Sequence, residues 1–141
     1  MISVSGGVAK DDAEALRLYR LAAKSGYALA FSDVGRLHWT GLGIGVDRAE
    51  AVRWFEQGAD RGDPFSHRRL GELYETGDHL PQDLEKALLH HAIAARLFEV
   101  AGDEPDATIA RARRGSLARA LPPETAVRIA REAAAWRPKG P

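Results

Sequence analysis

Val34-Gly35-Arg36-Leu37-His38 and Leu70-Gly71-Glu72-Leu73-Tyr74 are the stretches whose comparison decides the fold. They lie 36 residues apart, and the same shift carries well beyond them. It places Gly41 on Gly77, Asp47 on Asp83, Ala51 on Ala87 and Ala59 on Ala95. Applied towards the N-terminus, it places Asp11 on Asp47, Ala15 on Ala51, Tyr19 on Phe55, Ala23 on Ala59 and Gly26 on Gly62. Coincidence of residue type at one offset over three registers is the mark of an internal repeat.

Each unit reads as two helices, so the chain is expected to be all-α, an α-solenoid of antiparallel helix pairs with 36-residue repeats. In the first helix of the second unit, Ala30, Val34, Leu37 and His38 recur at helical spacing and form the core face. The opposite face carries Ser32, Arg36 and Trp39. The run Gly41-Leu42-Gly43-Ile44-Gly45 breaks the helix, and Asp47 is placed to cap the next. The stripe of that second helix is Ala51, Trp54, Phe55, Gly58 and Ala59. Gly35, Gly58 and Gly71 sit inside helices despite a cost of about 1 kcal/mol, which argues for close approach of neighbouring helices.

Four segments follow. Residues 1–26 form a partial first repeat, a turn at Gly7-Val8-Ala9-Lys10 and then a helix from Asp11. Residues 27–62 are a second repeat. Residues 63–102 are a third, whose second helix is extended to Gly102. Residues 103–141 hold two off-pattern helices that cap the array, with Trp136 closing the core of the cap.

Composition narrows the function classes. Of 141 residues, 45 % are apolar, enough for a core, and the chain carries no cysteine, which removes disulfides, thiolate metal sites and thiol nucleophiles. Basic and acidic residues balance at 20 each. Residues 1–103 hold 12 basic and 16 acidic side chains (net −4), and residues 104–141 hold 8 and 4 (net +4). Arg111, Arg113, Arg114, Arg119, Arg128, Arg131, Arg137 and Lys139 supply that C-terminal charge. They spread around their helices without interleaved aromatics, which reads as a solvated face and not as a nucleic-acid site. No apolar run approaches the ~20 residues of a membrane span, and the first residues lack a basic leader with an apolar core. The expected location is cytoplasmic, unless the chain is part of a longer protein with a signal upstream.

These motifs resemble the Sel-1-like repeat family, relatives of the tetratricopeptide repeats. Leu70-Gly71-Glu72-Leu73-Tyr74-Glu75-Thr76-Gly77 follows the family's opening motif, and Asp83, Lys86-Ala87 and Ala94-Ala95 continue it. In the second unit Gly41, Gly43, Asp47, Glu50-Ala51, Trp54-Phe55 and Ala59 match. In the first, Gly7-Val8, Asp11, Glu14-Ala15, Leu18-Tyr19, Ala22-Ala23 and Gly26 match. The sequence departs from the pattern at His38, His79 and His90-His91. The resemblance covers roughly residues 6–102. It implies a right-handed superhelix whose concave face binds proteins or peptides, often in bacterial signalling or envelope processes.

Catalytic and metal constellations are absent from the spacing. No two histidines stand three or four apart, so no helical metal pair is formed, and His91 takes the packing place of Tyr19 and Phe55. Gly41-x-Gly43-x-Gly45 follows no strand and lacks the spacing of a phosphate loop. Ser116 has no nucleophile-elbow context. The chain is therefore expected to be no enzyme, to carry no cofactor and no metal, and to bind neither nucleic acid nor membrane. The partner-binding strip is expected on the first helices: Phe31, Ser32, Arg36 and Trp39, with Arg68, Glu72 and Glu75 continuing it. Trp39 stands where the third unit has Glu75, so the repeat does not require its burial; it either anchors a partner or packs on the next unit. The alternative is a self-assembly module, a homodimer formed through apolar residues such as Leu16 and Tyr19 on the uncovered N-terminal repeat.

Overall fold

The computed structural model describes residues 2–41 and 44–139, with side chains described from Asp11 onward. Seven helices follow in chain order among the described residues: α1 (Ile2–Lys24), α2 (Ala30–Thr40), α3 (Arg48–Asp60), α4 (Pro64–Thr76), α5 (Leu84–Ala101), α6 (Glu104–Ala120) and α7 (Pro123–Ala135). There is no strand among the described residues. Each helix packs on the next in the chain, and α5 also packs on α7. The result is an all-helical solenoid of stacked helix pairs.

Local chemistry sets the helix starts. Asp47, Asp63, Asp83 and Asp103 each accept a hydrogen bond from an amide in the first turn of α3, α4, α5 and α6 respectively. Such a cap satisfies one of the four amides that a helix start leaves unpaired, and is worth about 1 kcal/mol. The turns repeat as well: the Asp47 amide bonds the His38 carbonyl, and the Asp83 amide bonds the Tyr74 carbonyl, both at 2.9 Å. Gly41 and Gly77 end α2 and α4 in the left-handed region, at φ 70° and 78°. His79 adopts φ 67°, a conformation that costs a side chain energy, in the place where the pattern calls for a turn glycine.

One expectation differs at the turns. α1 runs unbroken through Gly7–Lys10, where a turn was expected. Leu42 and Gly43, the middle of the expected glycine turn, lie outside the described residues.

The core repeats its packing. A Cβ built on Gly35 would lie 2.6 Å from Phe55 Cδ1, and one on Gly71 would lie 2.7 Å from His91 Nε2. In both units a helix therefore seats an aromatic ring directly on a glycine of its neighbour. His91 is 1 % exposed in the ring position that Phe55 fills one unit earlier.

α6 and α7 continue the stack. Arg68 bonds Asp106 (2.8 Å) and Glu75 pairs with Arg113 (3.4 Å), so α6 runs alongside α4 in the same direction. Glu85 pairs with Arg128 and Arg96 bonds the Ala134 carbonyl, so α7 runs likewise alongside α5. The α5–α6 interface is built of Ala94, Ala95, Ala107 and Ala110 around Phe98. Trp136 then packs against Ala92, Ile93 and Ala133. Beyond it the chain returns to α3, where the Lys139 amide donates to the Asp60 carbonyl at 2.7 Å.

Candidate partner-binding groove

α2 and α4 stand side by side and separate enough to leave two adjoining clefts. One, of about 430 Å³, is lined by Arg36, Trp39, Thr40, Phe55, Arg69, Glu72, Leu73, Thr76 and Asp78. The other, of about 330 Å³, is lined by Tyr27, Leu29, Ser32, Asp33, Arg36, Phe65, Arg68 and Arg69. Arg36 and Arg69 belong to both, so the clefts form one groove.

The structure divides the strip expected from sequence. Arg36 is exposed, Trp39 is half-buried, and both line the groove. One part of Trp39 packs against the Ala51–Phe55–Leu73 cluster; the Arg48 guanidinium sits 4.5 Å from its ring centroid. The tryptophan thus does both things the sequence left open, since a side chain this large reaches the neighbouring unit and still borders the cleft. Glu72 lies on the same groove, paired with Arg69 at 3.2 Å. Arg68 borders the second cleft.

Three expectations are corrected. Phe31, expected on the partner-binding strip, is 4 % exposed: it packs on Trp54 and lies against Gly58. Ser32 is buried as well; its amide donates to Asp63 Oδ2 at 3.1 Å, and its hydroxyl donates to the Leu29 carbonyl. Helical period separates the two faces of α2, but α3 and α4 cover part of the face that the period leaves outward. Glu75 lines neither cleft and turns instead towards α6, with one oxygen 3.4 Å from both Arg113 Nη1 and His91 Nε2.

Sequence reasoning missed Asp63, the residue that holds the groove's floor. Its carboxylate is fully buried and takes three hydrogen bonds, from the amides of Ser32 and Phe65 and from the Ser66 hydroxyl at 2.7 Å. One side chain thereby caps α4 and ties it to the first turn of α2. Burial raises its pKa, and the three donors oppose that rise. Tyr27, Phe65 and Arg69 were missed too. Their shared neighbourhood arises from two helices side by side, which no spacing within one helix reveals.

His38 and His91 are held neutral. Arg20 can only donate, so His38 Nε2, 3.1 Å away, accepts; burial first and Arg20 second lower its pKa. Burial also lowers that of His91, whose ring nitrogens have no hydrogen-bond partner among the described residues, Glu75 being near Nε2 but poorly aligned. Among the described residues, no three His, Asp or Glu side chains converge as a metal site requires. No described helix is long and apolar enough to cross a membrane.

Stacked helix pairs that open clefts between successive first helices define the class: an α-solenoid repeat protein. The Sel1 repeat profile matches residues 4–27, 28–63 and 64–97, and the chain belongs to the Sel1 repeat family. Repeats of this family are generally non-catalytic modules of protein interaction. No curated protein matches the sequence significantly. The matched spans stop short of α6 and α7.

Proposed function

We propose that this chain is a scaffold that holds a segment of a partner protein along the groove between α2 and α4. The single observation that carries this reading is the groove at Trp39, where a half-exposed tryptophan borders about 430 Å³ of open space beside Arg36 and Leu73. Tryptophan and arginine together at one cleft are the side chains that most often supply binding energy when water is excluded from them. Affinity comes from covering Trp39, and orientation from Arg36, Arg68 and Glu72. Phe31 and Ser32 act from beneath, by fixing α2.

The test is capture of a partner from extract by the immobilised chain, with Trp39→Ala and Arg36→Glu run in parallel and thermal melting on each. Arg36 is exposed and touches no core cluster, so Arg36→Glu should lose the partner while melting with the wild type. Retention of the partner by both variants would end the assignment to this groove.

A second reading is assembly through α1. Leu18 and Leu21 are 51 % and 50 % exposed on a helix whose main neighbour is α2. Exposed leucines of this kind favour a second copy. Leu16 is buried and Tyr19 half-buried against α2, so neither is free for that contact. Sedimentation of wild type beside Leu18→Lys/Leu21→Lys separates the readings, since a monomer at every concentration rules the second out.

A further inference from the structure

The smaller cleft has an unequal charge. Three guanidinium groups line it, Arg36, Arg68 and Arg69, against one carboxylate, Asp33. A guanidinium offers five N–H donors in a rigid plane. Among the described residues, Arg36 has only Asp33 near it, at 3.8 Å, beyond hydrogen-bond distance. Arg69 commits one contact to Glu72 at 3.2 Å, and Arg68 one to Asp106 at 2.8 Å. Most of the donors on this cleft are therefore uncommitted.

The three arginines also differ in readiness. Arg68 is held over the rings of Phe65 and Phe98 (5.2 and 5.7 Å) while Asp106 fixes its far side. It acts as a fixed positive wall. Arg36 and Arg69 are about half-exposed, at 47 % and 48 %, and stand where the two clefts meet. Asp33 is the one opposing acid, half-buried at the edge of this cleft. Beside this cationic cleft lies the apolar one, bordered by Trp39 and Leu73.

We infer that the segment held in the groove carries an aspartate or glutamate side chain for Arg36 and Arg69, next to an apolar side chain that covers Trp39. This rests on the reading that the α2–α4 groove binds a protein segment, and it specifies the chemistry of that segment. A planar carboxylate matches the guanidinium fork with two parallel hydrogen bonds, which a neutral amide cannot equal. Binding by this pair is reduced by salt, because both arginines are half in water.

A random twelve-residue peptide phage library, panned on the immobilised full chain, tests it. Parallel selections use Arg36→Gln/Arg69→Gln and Trp39→Ala. Both arginines are too exposed to carry the fold, and circular dichroism melting verifies this. We expect wild type to enrich Asp or Glu at a fixed spacing from Trp, Phe or Leu, and the double arginine variant to lose the acid preference. A synthetic copy of the leading peptide should bind the double variant about tenfold more weakly by fluorescence polarisation. Its Glu→Gln version should bind wild type equally weakly, with no further loss on the double variant. Peptides that depend on Trp39 but show no acidic preference would overturn the carboxylate and leave the groove standing. A selection indifferent to both sets of variants would overturn both.

Discussion

The Nδ1 atoms of His67 and His90 lie 3.0 Å apart, joining α4 to α5 in the interior. The Ala59 carbonyl, 2.8 Å from His67 Nε2, can only accept, so His67 carries its proton there and offers Nδ1 as an acceptor. His90 must then donate from its own Nδ1. Tyr74 stacks on His90 with ring centroids 5.8 Å apart, and the edge of Trp136 closes over His67 at 4.9 Å. Two neutral imidazoles therefore stand in a largely dry site.

Acid should destabilise the protein through this pair. Burial, then the neighbouring His90, pushes His67 down to about 3; burial, then His91 and Lys86, pushes His90 down to about 4, with Asp60 opposing. Below the ordinary value of 6.5 the unfolded chain binds protons that the folded one refuses. Stability is thus full above pH 6.5 and falls as pH falls towards 4, by up to about 1.4 kcal/mol per unit for each histidine. His38 and His91 are shifted in the same direction. Asp63 acts in the opposite sense, its raised pKa costing stability as pH climbs above 3.8. Urea midpoints at pH 7.5, 6 and 5 should fall in that order, and less steeply in His90→Gln. A flat series would refute the neutral pair.

Asp63→Ala should cost about 3 kcal/mol, because it removes the α4 cap and leaves the Ser32 amide without its partner. Asp63→Asn keeps an acceptor oxygen and should cost less. Chemical denaturation of both variants checks the order; equal stability of Asp63→Ala and wild type would show that the tie is not needed.

One substitution should have opposite signs at two glycines. Gly35→Ala drives a methyl into the buried Phe55 ring, and about 1–3 kcal/mol of overpacking outweighs the gain in helix propensity. At Gly115 the nearest atom is the flexible end of Arg119, 3.4 Å away, so Gly115→Ala should stabilise by about 0.5–1 kcal/mol. Melting temperatures of the two variants should fall on either side of wild type. A higher melting temperature for Gly35→Ala would mean that α2 and α3 do not approach this closely.

Trp136→Ala should cost about 2–3 kcal/mol and wet the histidine pair. Its urea midpoint should then fall less steeply between pH 6 and 5, because His67 regains solvent and its pKa returns towards 6.5. Amide exchange at Lys139 should accelerate as the returning segment loosens from Asp60. Unchanged exchange would indicate that the segment is held without the tryptophan.

The repeat was legible because its signals are local. Asp47 and Asp83 cap, Gly41 and Gly77 turn, and Val34, Leu37, Leu70 and Leu73 face the core, each by rules that act within one or two turns of helix. The packing of α6 on α5 and alongside α4 was not, because the first is made by alanines and the second by ion pairs such as Glu75–Arg113. Alanine carries no directional signature, and ion pairs at the surface hold little energy.

By itself, then, the sequence determined that this protein is built of stacked helix pairs, and the main inward stripe of the two helices in its repeat, since both follow from spacing along a single chain. Only the tertiary structure decided that Phe31 and Ser32 are buried, that Asp63 ties two units together, that His67 meets His90, and that three arginines border one cleft. Each of these depends on the distance between helices 20 to 40 residues apart in sequence, which is set by how side chains fill the space between them.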